Sequence, residues 1–398
     1  MHLLKLAKKI AVGVSGGVDS AVAAHLLKKQ GHEVVGVFMR NWDVADETGN
    51  CNVDADVNDA AHICDKIGIP FQQVDFVKAY WNEVFDDLVN DYENRLTPNP
   101  DILCNKFIKF KRFAEFATEK LGCELIATGH YARRTFPDDS SSSARLLRGV
   151  DLVKDQTFFL SQIPQEALKK TLFPLGDLLK SQVKKIAFEN GLERIASKKE
   201  SMGMCFIGSR RFQHFIEDYI VAKEGVFVDV DTGKTLGRHN GQHHFTVGQR
   251  CKLGGLPSRS YVARKMVNEA ILAASGHRHP LFFGRIVFTS PPHWIHSKPT
   301  HLVHGHLLRC QFRFQHREPP VSCAVFANEN QELTVLLNEP LRALTPGQFS
   351  VFYSRNECLG SSRIKYAGPS EYVLNLVKNS NVAMSRCAPE RISIRSAG

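Results

Sequence analysis

Along the first third of the chain, short apolar runs alternate with longer segments whose apolar residues recur every three to four positions. The runs at 9–14, 33–39, 71–76 and 124–129 read as buried strands, and the segments at 21–31, 54–67, 79–94 and 105–121 carry the helical period. Strand and helix in alternation predict an α/β fold, a doubly wound parallel sheet covered by helices. Ligands of such sheets sit beyond the carboxyl ends of the strands, so residues 15–20, 39–42 and 128–130 would converge there. Helical segments at 165–171, 180–190 and 210–221 follow, and from about residue 225 the pattern changes to short extended runs broken by Gly and Pro. The clearest strand is 308–315, whose alternation predicts Arg309 and Arg313 pointing outward. Runs at 333–337 and 349–353, with turns at 328–330 and 345–347, predict a small C-terminal β-barrel or sandwich. Residues after 378 are rich in Ser, Asn and Arg and are expected to be disordered. These changes of character divide the chain into 1–222, a small central domain at 223–282, a barrel at 283–375 and a tail at 376–398.

Composition narrows the picture. A length of 398 residues exceeds one comfortable core, and a net charge of +10 suits a polyanionic partner such as nucleic acid without establishing one. Ten cysteines are scattered without a Cys-x-x-Cys pair, which argues against a zinc knuckle or iron–sulfur cluster and for a reducing compartment; no metal ligand set is expected. No apolar run approaches the roughly 20 residues of a membrane span. Residues 1–9 are basic and free of acids, compatible with a minimal organelle-targeting segment and equally with a strand lead-in.

The most specific stretch is Gly13-Val14-Ser15-Gly16-Gly17-Val18-Asp19-Ser20, between the first strand and the first helix. Adjacent glycines let the backbone approach an anion, and the helix start aims unpaired amides and its positive dipole end at the same point. No Gly-Lys-Ser/Thr closes the turn, so it is not a Walker A loop. Asp19 stands where a carboxylate could hold Mg2+ or polarise a substrate, or could merely cap the helix.

Two of the cysteines stand out by their surroundings. Cys104 lies in Thr97-Pro98-Asn99-Pro100-Asp101-Ile102-Leu103-Cys104-Asn105-Lys106, read as an extended loop ending at a helix start. There the helix dipole, Lys106 and Lys109 would favour a thiolate, against the alternative of a structural half-buried cysteine. Cys205, in Lys199-Glu200-Ser201-Met202-Gly203-Met204-Cys205-Phe206-Ile207-Gly208, suits either a swinging loop or a buried strand. Asp101 could exchange protons with a substrate base or close an Asx turn. Phe107, Phe110, Phe113 and Phe116 read as one buried helix face, beside Lys106, Lys109, Lys111 and Arg112, whose basic side could track a phosphate backbone or be simply solvated. His239, His243 and His244 lack metal-ligand spacing and are read as structural or RNA-contacting.

The glycine turn resembles the SGGxDS loop of the PP-loop ATP pyrophosphatases. Together with 97–106 and 200–208, it makes the chain resemble the tRNA-specific 2-thiouridylases over nearly its whole length to about Val373. Phrases such as Lys154-Asp155-Gln156-Thr157-Phe158-Phe159-Leu160-Ser161-Gln162 and Cys310-Gln311-Phe312-Arg313-Phe314 lean to the animal mitochondrial branch. That resemblance implies an enzyme of the mitochondrion, with the cytoplasm as the alternative. It implies ATP with Mg2+ on Gly13, Val14, Ser15, Gly16, Gly17, Val18, Asp19 and Ser20, with Met39 and Gly129 near the adenosine. The C2 oxygen of the wobble uridine, position 34 of the tRNAs for Lys, Glu and Gln, would be adenylated and replaced by sulfur. Cys205 would carry a persulfide delivered by a sulfur-relay protein, and Cys104 would end in a disulfide with it. Asn99, Pro100 and Asp101 would surround the base, and Lys154, Asp155, Gln156, Arg313 and Phe314 would touch tRNA. A monomer with no membrane association is expected. Two rivals remain: a PP-loop ligase for a small molecule, which needs no cysteine pair, and an inactive RNA-binding homologue.

Overall fold

Four parallel strands, β1 (Lys9–Gly13), β2 (Glu33–Arg40), β3 (Phe71–Asp75) and β4 (Leu125–Ala127), are laid down by the first third of the chain. The computed structural model describes residues 7–43, 52–136, 143–198, 212–303 and 306–386. After β4 the chain makes a hairpin, β5 (Ala132–Thr135) and β6 (Arg145–Arg148), before β7 (Thr171–Leu172) joins the first sheet in parallel beside β4. The order β3-β2-β1-β4-β7 reverses direction between β1 and β4, the switch point at which open α/β sheets form their ligand crevice.

Alternation along β1 assigns its two faces. Ile10 and Val12 enter a core with α1 (Val18–Lys29) and α2 (Asn52–Ile67), while Ala11 enters another with Phe110 and Phe113. A third helix occupies 77–93 and a fourth 100–119; both contain a widened, π-helical stretch, Trp81–Phe85 and Cys104–Arg112. We call these α3 and α4. The helix α5 (Lys180–Glu189) completes the first core through Val183 and Ala187, and α6 (Phe212–Glu217) follows.

The chain then builds a four-stranded sheet from β8 (Gly225–Asp229), β9 (Thr235–His239), β10 (Ser260–Lys265) and β11 (Ile271–Ser275), over Phe227, Val262 and Ile271. The remaining strands are β12 (Phe283–Thr289), β13 (His293–Trp294), β14 (Leu308–Arg313), β15 (Val321–Ala327), β16 (Leu333–Arg342), β17 (Phe349–Ser354) and β18 (Glu357–Ala367). The order β12-β16-β15-β14-β17-β18 closes through β12–β18 pairing into a six-stranded antiparallel barrel. Its β18 also pairs with β6, Cys358 opposite Leu146 and Glu357 opposite Leu147, so one sheet runs from the nucleotide-type domain into the barrel.

Two expectations change. The segment read as a helix from residue 105 begins at Pro100, because Pro is accommodated at the first helical position and Asn99 caps it. The tail read as disordered from 376 carries α7 (Glu371–Arg386), an amphipathic helix, whereas 387–398 lie outside the described residues. Among the described residues no helix is long and apolar enough to cross a membrane.

Candidate active site

The glycine turn leaves β1 at the switch point. Gly16 has φ +77°, and a Cβ there would stand 2.9 Å from the Asp56 carbonyl oxygen, so only glycine fits. Ser20 Oγ donates to the Gly17 carbonyl at 3.0 Å and accepts from the Ser15 amide at 3.1 Å, fixing the curl of the loop. The first-turn amides of α1 then point outward without intrahelical partners. A Cβ on Gly13 would lie 3.1 Å from Met39 Cε, and one on Gly129 would lie 2.7 Å from the Asp19 carbonyl carbon and the Ser20 nitrogen. Thus Gly13 to Ser20, Met39 and Gly129, predicted from separate segments, meet in one place. Beside them His130 accepts or donates at 2.8 Å to Thr128 Oγ1, and burial, with Lys109 nearby, holds its imidazole neutral, well below its ordinary pKa.

Asp19 is no simple helix cap. Its carboxylate receives Lys180 Nζ at 2.7 and 2.8 Å and the Tyr131 hydroxyl at 2.8 Å. Both partners are supported by the loop at 151–156. Gln156 Oε1 accepts from the Tyr131 amide at 3.0 Å while its own amide donates to the Tyr131 carbonyl at 3.0 Å, and Asp151 Oδ2 accepts from the Lys180 amide at 3.0 Å. Sequence reasoning missed Tyr131 and Lys180: they stand 112 and 161 positions from Asp19, and nothing local marks them.

The Cys104 region differs from its expected form. Asn99 Oδ1 accepts from the Ile102 amide at 3.4 Å, so Cys104 sits one full turn inside α4 with helical dihedrals, where the dipole effect of a helix start has faded. It is 6% exposed and packs in a cluster with Trp42, Tyr80, Phe85, Phe215 and Ile216. The barrel grips the preceding loop: Gln348 Nε2 donates to the carbonyls of Thr97 at 3.0 Å and Pro98 at 2.9 Å, and Asn99 Nδ2 donates to Gln348 Oε1 at 3.1 Å. Gly347 is at φ +93°, and a Cβ there would meet Thr97 at 2.7 Å. Asp101 lies exposed at the rim; the protein around it raises its carboxyl above the ordinary value, opposed by Lys109 and His316. Lys106 donates to Gln162 Oε1 at 3.2 Å, and burial lowers its pKa. Phe110 and Phe113 are core, but Phe107 and Phe116 are only half-buried, because three-residue spacing drifts about 60° per step around the axis.

Cys205 lies at 199–211, outside the described residues. Residues on both sides of it pack against the first domain. Lys198 pairs with Asp59 and, at 3.8 Å, with Asp56, the residue whose carbonyl abuts Gly16. On the other side, Phe215 and Ile216 of α6 pack in the cluster that contains Cys104.

The residues assigned to tRNA are a mixed set. Lys154 and Gln156 reach the surface in part, but Asp155 is 0% exposed, Arg313 6% and Phe314 4%. Arg313 was expected to point outward from β14. That face is instead covered by the 155–157 turn, where Asp155 receives Arg148 Nε at 3.1 Å and Arg313 Nη1 at 3.4 Å. Asp155 and Arg313 thus join the barrel to the first domain, and Phe314 packs in the barrel core. In the central sheet, His244 Nε2 approaches Glu217 Oε1 at 3.0 Å, a carboxylate partner the sequence did not suggest, while His239 bonds the Glu269 carbonyl at 3.0 Å. Among the described residues no group of three His, Cys, Asp or Glu could hold a metal ion.

Residues 8–209 match the tRNA methyl transferase HUP domain family, 213–275 its PRC-barrel domain and 285–364 the aminomethyltransferase β-barrel domain. The chain is 49% identical over 369 residues to the mitochondrial tRNA-specific 2-thiouridylase 1 of Drosophila melanogaster, covering 91% of this chain and 95% of that one. It belongs to the tRNA-specific 2-thiouridylase family. The human mitochondrial tRNA-specific 2-thiouridylase 1 is 45% identical, covering 92% of each chain. A bacterial relative, the tRNA-specific 2-thiouridylase MnmA of Alkaliphilus oremlandii, is 44% identical over 89% of this chain and 96% of that one. Within the family's three-domain plan, the nucleotide-type loop and the Cys104 region lie in the first domain, and Gln348 reaches that region from the third.

Proposed function

We propose that this protein is an ATP-dependent mitochondrial tRNA 2-thiouridylase acting on the wobble uridine of the tRNAs for Lys, Glu and Gln. The glycine turn binds the phosphates of ATP through the α1 amides, with Met39 and Gly129 flanking the adenosine. Asn99, Pro100 and Asp101 surround the uridine, whose C2 oxygen attacks the α-phosphorus as pyrophosphate leaves. Sulfur carried as a persulfide on Cys205, supplied by a sulfur-relay protein, bonds to C2 as AMP departs. The Cys104 thiolate then attacks the Cys205 sulfur; the S–S bond breaks toward the base, leaving 2-thiouridine and a Cys104–Cys205 disulfide that a dithiol must reduce. Asp101, exposed in the first turn of α4, is placed to exchange a proton with the base. Lys154 and Gln156 offer the polar surface for tRNA. Mg2+ fits as a partner of the phosphates with Asp19 as its one carboxylate, a ligand set common for this ion. When bound it would neutralise phosphate charge.

The observation that carries this reading is the pair of anchors around 199–211. Lys198 on one flank is fixed beside the glycine turn, and Phe215 and Ile216 on the other pack in the Cys104 cluster, which supports a reaction that uses both sites with Cys205. Cys205 stands seven positions from each of Lys198 and Phe212, a reach of at most about 25 Å.

The test is mass spectrometry of nucleosides from tRNA incubated with the protein, ATP, Mg2+ and a persulfide donor. Formation of 2-thiouridine is expected, with Cys104→Ser and Cys205→Ser abolishing it while leaving tRNA-dependent pyrophosphate release intact. Thiolation surviving both substitutions would exclude the cysteine mechanism. A methylated uridine formed only with S-adenosylmethionine would favour the methyl transfer named in the family's domain labels.

A further inference from the structure

A carboxylate in a triphosphate-binding turn is electrostatically costly unless something answers it. Asp19 lies in the first turn of α1, where the amides and dipole end invite anions, and it would repel the polyphosphate that the proposed function brings there. In the protein alone Lys180 supplies the answer, at the carboxylate that Mg2+ would take when nucleotide binds. Lys180 is the first residue of α5, its side chain is only 11% exposed, and its ammonium bonds both Asp19 oxygens and lies 5.8 Å from the centre of the Tyr131 ring. Its backbone is fixed by Asp151 and its carboxylate partner by Tyr131, so the cation is held at the glycine turn from two independent directions. Gly129 packs against the backbone of Asp19 and Ser20 on one side, which confines where the phosphates can lie.

We propose that Lys180 is a phosphate-binding residue of the nucleotide site, held by Asp19 in the protein alone and turned to the β- and γ-phosphates when ATP binds. This rests on the functional reading above. When the uridine oxygen attacks the α-phosphorus and the bond to the β-phosphate breaks, the electron pair leaves with pyrophosphate. The ammonium then faces the growing charge without giving up its proton. Lys180 is more effective here than an exposed lysine because its stem is already ordered and little rotamer freedom is lost on binding.

The experiment is calorimetric titration of the full chain with ATP, inorganic pyrophosphate and AMP in the absence of tRNA. Lys180→Gln is expected to weaken ATP and pyrophosphate about tenfold or more, the size of one charge-assisted hydrogen bond, and to leave AMP within about twofold. Unchanged pyrophosphate affinity would overturn the proposal. A second pair guards against a folding defect, since Asp19→Asn and the double variant Asp19→Asn/Lys180→Met leave no unpaired carboxylate. Metal-free pyrophosphate should bind Asp19→Asn at least as tightly as the wild type and the double variant about tenfold more weakly; equal affinities in the two variants would again overturn it. A wild-type protein that binds neither ATP nor pyrophosphate would count against the functional reading itself, which is a different outcome from two variants that bind alike.

Discussion

Gln348, on the loop entering barrel strand β17, is hydrogen-bonded to Asn99, the residue that caps the Cys104 helix 249 positions earlier in the chain. With its further bonds to Thr97 and Pro98, one side chain sets the entry angle of α4. Gln348→Ala should lower tRNA thiolation about tenfold to a hundredfold through misplacement of the reacting groups, while ATP affinity stays within about twofold. Steady-state thiolation measured beside nucleotide titration separates the two; equal losses in both would rule out a role confined to this loop.

Asp155 joins three segments. It is fully buried between Arg148 of β6 and Arg313 of β14 and also accepts from Thr157 Oγ1 at 2.9 Å. Asp155→Asn leaves two guanidinium groups without their shared carboxylate and should destabilise the protein by about 3–5 kcal/mol, read as a lower urea midpoint. A midpoint unchanged from the wild type would mean that water reaches the arginines.

Gly129→Ala tests the closeness of β4 to the glycine turn. A methyl group would be driven to 2.7 Å from backbone atoms of Asp19 and Ser20, which no side-chain rotation relieves. Both ATP and AMP affinity should fall about tenfold or more in titration, in contrast to the selective loss expected at Lys180. Retention of wild-type affinity would show that the loop can move aside.

The alternation of strand and helix, the glycine turn and the later barrel were legible in the chain because each is a local pattern. The capped start of α4 was also legible in kind, since Asn99 followed by Pro100 is an N-cap followed by the residue best tolerated at the first helical position. Two strong loop-formers in Pro98 and Pro100 outweighed that signal. Arg313 was misread for a different reason. Period-two alternation tells which face a residue occupies, not whether that face meets water, and here the 155–157 turn lies over it. The partners of Asp19 and Asn99 could not be read at all, because Tyr131, Lys180 and Gln348 arrive from other elements through tertiary packing.

Acid should weaken the packing around His243. Burial pushes His243 down to about 4, with His244, Lys265 and His239 adding to the effect and Glu217 opposing it. An unfolded chain takes up this proton near 6.5, so stability contributed by the neutral ring is intact above that pH and is lost as pH falls toward 4. The melting temperature should therefore drop between pH 7 and pH 5, and His243→Gln should flatten part of that slope. A variant whose profile superimposes on the wild type would assign the acid sensitivity elsewhere.

The pairing of Leu146 and Leu147 with Cys358 and Glu357 bears on what truncation would do. A stop codon early in the barrel would spare the glycine turn, Cys104 and Cys205, yet it would strip β6 of its barrel neighbour and leave a raw sheet edge ready to seize other chains. Shortened products should accordingly be lost to aggregation or proteolysis, so that damage at the far end of the gene silences chemistry encoded near its beginning.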